Sequence, residues 1–164
     1  MTAYRVSCAC GKVACEATGA PILTTVCYCD DCQRGGHQIE ALPDAAPVLD
    51  ADGGTAYVLY RKDRFACTKG SEWLRDVRLK ETSPMRRVVA GCCNTAMYAD
   101  FGKGHWVSAY RTRFEGVQPP IQMRIQTRFK PQPDTTPSDI ATYRSFGPRL
   151  IVKLLSSRIA MLFS

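Results

Sequence analysis

This sequence lacks an uninterrupted apolar run of the roughly 20 residues needed to cross a bilayer. Its most apolar stretches lie near the C-terminus and are broken by Lys153 and Arg158, so no transmembrane helix is expected. Met1-Thr-Ala-Tyr-Arg-Val lacks the charged start, apolar core and small-residue cleavage site of a secretory leader. An even cysteine count is missing too. Nine thiols, several too close in sequence to pair with one another, do not make a disulfide framework. The expectation is a cytoplasmic protein in a reducing compartment. Repeats and low-complexity tracts are absent. Acidic side chains are the scarcer charge, with 15 Asp and Glu against 22 Lys and Arg for a formal +7. That excess points to nucleic acid or an anionic membrane surface, but it counts every thiol as neutral. If seven thiolates bind two zinc ions, the sites add 4 − 7 = −3, and the +7 falls to about +4 because metal binding deprotonates its ligands. Nucleic acid is therefore not the expected partner.

The thiols themselves are the strongest signal. Cys8 and Cys10 form C-x-C-G, Cys27, Cys29 and Cys32 form C-Y-C-D-D-C, and Cys92 and Cys93 are adjacent. Thiolates at gaps of one and two residues are how a small chain builds soft-ligand metal sites, and zinc is the metal expected. Cys27, Cys29 and Cys32 supply three ligands within six residues and leave a tetrahedral shell open. Either the fourth position is kept for water or a substrate thiol, as in catalytic zinc, or a distant residue such as Cys67 or His37 closes it. Cys8 and Cys10 need the Cys92-Cys93 region to complete a second site, which would staple the start of the fold to a later hairpin.

Local patterning gives a mainly β chain. Residues 4–17 alternate around Val6, Val13 and Cys15, with Cys10-Gly11 at a turn. Further short strands are expected at 22–26, 56–59, 64–68, 73–79, 86–90, 97–101 and 106–110, separated by charged turns. Gly35-Gly36-His37 reads as a loop, and 38–42 as an extended run. Pro119-Pro120 and 130–133 bracket a segment, 121–129, expected as an edge strand or an arm. Thr136-Pro137-Ser138-Asp139 has helix-start chemistry and Gly147-Pro148 a stop. A second helix over 149–162 places Ile151, Leu154, Leu155, Ile159 and Leu162 at helical spacing. It packs on the sheet, forms a homo-oligomer with a second subunit, or lies on a membrane surface.

Cys8-Ala-Cys10-Gly11, Cys27-Tyr-Cys29-Asp-Asp-Cys32, Thr68-Lys-Gly70 and Arg87 leading to Cys93-Asn94-Thr95 together resemble the glutathione-dependent formaldehyde-activating family, which includes centromere protein V. The resemblance runs from about Val6 to Tyr110. It implies an Mss4-like fold of stacked β-sheets with two zinc ions. One ion is structural, held by the C-x-C and a later C-x-x-C-G. The other is a working zinc held by Cys27, Cys29 and Cys32. The implied activity is that of a carbon–sulfur lyase or synthase acting on the adduct of glutathione and formaldehyde, with a small thiol or aldehyde as substrate and glutathione as co-substrate. Some relatives instead suggest a non-catalytic zinc module that binds a protein or nucleic acid. This chain departs from the pattern at Ala90, where a ligand cysteine is usual, at Asn94, where glycine is usual, and at Tyr28, where histidine is common. Cys92 can replace the ligand missing at Ala90 only if the backbone turns there, because neighbours on a strand point to opposite faces. Asn94 tolerates the left-handed conformation glycine would take. The domain organisation expected is a zinc-binding β domain over 1–118 and an extended arm with C-terminal helices over 119–164.

The remaining candidates have plainer readings beside functional ones. His37 is a proton shuttle, a ligand or simply a solvated loop residue, and His105 sits in a turn. Asp30 and Asp31 support the cluster or are solvated. Cys15 and Cys67 read as small core residues, as do Trp73 and Trp106. Arg111, Arg113, Arg124 and Arg128 with Phe114 and Phe129 make either a nucleic-acid surface or the solvated face of a strand.

Overall fold

A computed structural model describes residues 2–132 and 136–164; the proline bracket noted above reaches Pro133, outside the described residues. Among them the chain is mainly β, with two sheets and a C-terminal helix. The smaller sheet has the order β1 (Ala3–Ser7), β2 (Ala14–Thr18), β5 (Phe65–Lys69). The larger has eight strands. Its centre is β3 (Leu23–Cys27), β4 (Thr55–Arg61), β9 (Trp106–Tyr110), β8 (Thr95–Phe101), β7 (Met85–Ala90) and β6 (Leu74–Val77), all antiparallel. On the other side of β3, β10 (Met123–Ile125) and β11 (Ala141–Thr142) add in parallel.

Strand β4 shows how the layers are built. Every residue in it is buried, and alternate side chains leave the sheet on opposite faces. Tyr57 and Leu59 enter one core with Leu23, Ile39, Tyr110 and Leu150. Val58 and Tyr60 enter a second core with Val6, Cys15, Met97 and Ala109. The small sheet covers the second face. The first face is covered by helix α1 (Asp30–Glu40) and helix α2 (Pro148–Ala160), whose buried residue is Leu150. Near the end of β8, Asp100 takes Lys62 at 2.8 Å and Arg86 at 2.8 Å.

Helix α1 replaces the loop and extended run expected over 35–42. Cys29 caps its N-terminus by accepting a hydrogen bond from the Cys32 amide at 3.3 Å. Asp30 and Asp31 stand in its first turn, where the helix dipole favours anions. The two glycines are not breakers here but clearances. A Cβ at Gly35 would strike the Arg87 guanidinium, and one at Gly36 would meet Leu49 Cδ2 at 2.5 Å. The helix expected between Pro137 and Gly147 does not form. Asp139, its candidate acid, pairs with Arg124 at 2.7 Å. The Tyr143 amide bonds the Arg124 carbonyl at 2.9 Å, so sheet pairing wins over a short helix that has little apolar face to bury. The second expected helix does form, as α2. Trp73 is also corrected: it is 44% exposed, with Lys12 Nζ 5.2 Å from its ring centroid.

Candidate metal centre

Two groups of thiols converge, one on each face of the large sheet. The first joins the β1–β2 turn to the β7–β8 turn. Cys8 Sγ lies 3.6 Å from Cys10 Sγ and 3.9 Å from Cys92 Sγ. Cys10 Sγ lies 3.4 Å from Cys92 Sγ, and Cys92 Sγ 3.9 Å from Cys93 Sγ. Strand β7 ends at Ala90, which is buried in the core. The chain then turns, with the Cys93 amide bonded to the Ala90 carbonyl at 3.2 Å. Asn94 takes φ 53°, the left-handed conformation asparagine tolerates better than most residues. That turn lets two adjacent cysteines face one point, which an extended strand would forbid. Thr95 Oγ1 lies 3.0 Å from Cys93 Sγ, and the Val13 amide donates to Cys8 Sγ at 3.2 Å.

The second group lies where β3 runs into α1. Cys27 ends the strand, Cys29 caps the helix and Cys32 sits one turn in, so their sulfurs come within 4.8 Å of one another. Neither candidate for a fourth ligand joins them. Cys67 is in the small sheet, directly opposite Cys15. His37 is exposed and lines a separate cavity with Glu40 and Asp50. The Tyr57 hydroxyl donates to Cys32 Sγ at 3.8 Å, and burial holds that hydroxyl protonated. Arg87, 1% exposed, stands behind the cluster and donates from Nη2 to the Asp31 carbonyl at 2.6 Å.

The electrostatics of the trio fit a cation. Cys27 is pushed far above the ordinary thiol range by the hydrogen bonds it gives to Cys29 and Cys32 and by burial. Cys29 is pulled down as the acceptor, from Cys27 first and Cys32 second. At Cys32 the bond from Cys27 lowers the pKa, but donation to Cys29 and burial outweigh it and leave the thiol at about 12. Three sulfurs this close, two of them buried, cannot all ionise unaided, and a divalent ion would take the place of the shared protons. Both groups can therefore hold a metal ion.

The trio also borders a cavity of about 270 Å³, reached by Tyr57, Leu59 and Ile125 from the sheet and by Leu150 and Leu154 from α2. The four-cysteine group lines none of the cavities described. Among the other candidates, Asp31 lines the cavity and is exposed, whereas Trp106 lines it half-buried. His105 Nε2 lies 2.7 Å from the Ser157 hydroxyl of α2. The arginines proposed for a nucleic-acid surface have partners within the chain, Arg111 with the Pro119 carbonyl at 2.6 Å, Arg113 with the Pro47 carbonyl at 3.3 Å, Arg124 with Asp139 and Arg128 with the Phe129 ring. Phe114 is buried. The residues beside the three-cysteine group to which the sequence assigns no role are Tyr57 and Arg87, since a tyrosine or arginine within a strand carries no local signal of what it faces.

No curated protein matches the chain. Among solved structures, a crystal structure of a Rhodobacter sphaeroides protein from a structural genomics programme is similar, with a TM-score of 0.50 and 17% identity over 70% of this chain and 91% of that one. The likeness is one of fold. A family model matches residues 2–111, a span that contains all seven clustered cysteines, Tyr57 and Arg87, and the chain thus belongs to the family of unknown function DUF6151.

Proposed function

We propose that this protein is a zinc-dependent carbon–sulfur lyase or synthase that acts on the adduct of a thiol and an aldehyde. The observation that carries the reading is the contrast between the two thiol groups. One has four sulfurs and lines none of the three cavities described. The other has three sulfurs, no fourth ligand among the described residues, and a cavity of about 270 Å³ against it. Closed four-ligand sets are structural, and three-ligand sets with an open position are catalytic. The resemblance to the glutathione-dependent formaldehyde-activating family and its Mss4-like fold supports the same division.

On this reading Cys8, Cys10, Cys92 and Cys93 hold a structural zinc, and Cys27, Cys29 and Cys32 hold the working one. When bound there, zinc supplies a soft electrophile that lowers the pKa of a substrate thiol. The reaction breaks the carbon–sulfur bond of a hemithioacetal, whose electron pair leaves with sulfur. The hydroxyl carbon becomes the aldehyde carbonyl, and the hydroxyl proton passes to sulfur as the free thiol; synthesis is the reverse. The chain's own groups orient and shield. Tyr57 fixes Cys32 by its hydrogen bond, Arg87 balances the negative charge of three thiolates on a divalent ion, and Leu150 and Leu154 keep bulk water from the cavity.

The test is Cys29→Ser. Zinc content is expected to fall from about two ions to about one per chain, with loss of turnover of thiol–aldehyde adducts. Unchanged zinc and unchanged turnover would refute the proposal. The alternative, a non-catalytic zinc module for a protein partner, is favoured by one observation: α2 roofs the cavity. It predicts that Cys29→Ser abolishes partner capture and that the unmodified protein turns over no adduct.

A further inference from the structure

We infer that the thiol handled beside Cys27, Cys29 and Cys32 is an uncharged, apolar one, an aryl or short alkyl thiol or its aldehyde adduct, rather than glutathione. The thiol end of this inference rests on the function proposed above; the apolar end rests on the cavity alone.

Apart from the cysteines, its walls are mostly hydrocarbon and aromatic. Leu59, Met85 and Ile125 come from the sheet, Leu150 and Leu154 from α2, and Trp106 closes one side. Among the described residues no lysine, arginine or histidine lines it, and the carboxylate that does, Asp31, is exposed. Glutathione is a zwitterion with an excess carboxylate. Inside this cavity its two carboxylates would meet no cationic side chain, the zinc being already faced by three thiolates, and one negative side chain would stand near by. Charges taken from water without a partner are strongly disfavoured. Arg87 does not change this balance, because its guanidinium lies behind the cysteines among Gly35 and the Asp31 carbonyl and does not line the cavity.

Size points the same way. An apolar cavity of about 150 Å³ admits benzene, so about 270 Å³ takes roughly ten non-hydrogen atoms, about half a glutathione molecule. Phe101 and Phe146 line the cavity and are 40% and 54% exposed, so an apolar molecule approaching them meets aromatic surface next to the cavity. The roof is lightly held, since α2 buries only Leu150 among its residues.

The experiment is calorimetric titration of the full zinc-loaded chain with benzyl mercaptan, with toluene as the sulfur-free shape and with glutathione. Zinc content is measured on the same samples. Toluene is expected to bind, benzyl mercaptan to bind at least about tenfold tighter than toluene, and glutathione to bind at least about tenfold more weakly than benzyl mercaptan, the factor assigned to one well-made contact. Leu154→Trp, which fills the cavity from the surface helix, is expected to weaken toluene and benzyl mercaptan at least tenfold with zinc content unchanged. Ser108→Phe fills it from the sheet side and gives the same readout should the first variant fold poorly. Glutathione binding as tightly as benzyl mercaptan, or toluene affinity untouched by both filling variants, overturns the inference. Two zinc ions per chain with no binding of either aromatic probe also overturns it and leaves the metal reading standing. Toluene binding to a chain whose three-cysteine group holds no zinc supports the apolar cavity and sinks the metal reading instead.

Discussion

The Arg87 guanidinium reaches from β7 to within 2.6 Å of the Asp31 carbonyl in the first turn of α1, and so joins strand and helix at the three-cysteine group through a cation that solvent hardly touches. A buried guanidinium is tolerated where negative charge faces it. Three thiolates and one divalent ion would leave one negative charge; burial opposes the charged form of Arg87, and Tyr57, Tyr110, Cys32 and Cys29, in that order of strength, outweigh it.

Arg87→Met is therefore expected to weaken zinc at the three-cysteine group by about 10- to 100-fold, the usual effect of losing a partner just outside the ligand shell. The four-cysteine group should keep its ion. Competition with a chelator of graded strength separates the two, and equal weakening of both groups would refute the assignment.

Gly35→Ala tests the clearance. In an exposed helix interior this change gains up to about 1 kcal/mol. Here the new methyl meets Arg87, which is walled in, so an overpacking loss of about 1–3 kcal/mol is expected. Chemical denaturation gives the sign directly, and a stabilised variant would show that Arg87 moves freely.

Asp100 supplies a pH test away from any cysteine. Burial raises its pKa, but hydrogen bonds from Lys62 and Arg86 outweigh burial and hold the carboxyl below the ordinary range. Because its folded pKa is depressed, its contribution is complete above the unfolded value of about 4 and fades as pH falls below that toward the folded value. Asp100→Asn should cost about 1–3 kcal/mol at pH 6, with the gap to the parent closing below about pH 4. A gap independent of pH would count against the ion pairs.

The bond between His105 and Ser157 ties α2 to the β8–β9 turn. His105→Ala should leave zinc content unchanged and raise amide exchange across α2 by about tenfold, the equivalent of one hydrogen bond of about 1 kcal/mol or slightly more. Unaltered exchange would mean that the roof is held by the apolar packing of Leu150 and Leu154 and not by this bond.

Which thiols group together was legible because metal ligands close in sequence advertise themselves by spacing, and Cys8, Cys10, Cys27, Cys29 and Cys32 are local pairs and triples. The mainly β fold followed from short alternating runs between turns. Helix α1 was hidden by Gly35 and Gly36, which look like breakers unless one knows that Arg87 and Leu49 need the space. The helix expected before Gly147 failed for a related reason: Asp139 has a better partner in Arg124, distant in sequence, than the amides of its own turn. Arg87 formed part of the resemblance without a role, since its work depends on what β7 is laid against.

The match to the family stops at residue 111, and β10, β11 and α2 all follow it. The parallel pairing of β10 with β3 thus ties the segment beyond the matched span to the strand that carries Cys27. A homologue with the same first two-thirds and a different ending would inherit the three-cysteine group but not the ceiling above its cavity. On the proposed function, swapping that ending would exchange what the cavity admits while the clustered sulfurs stay in place.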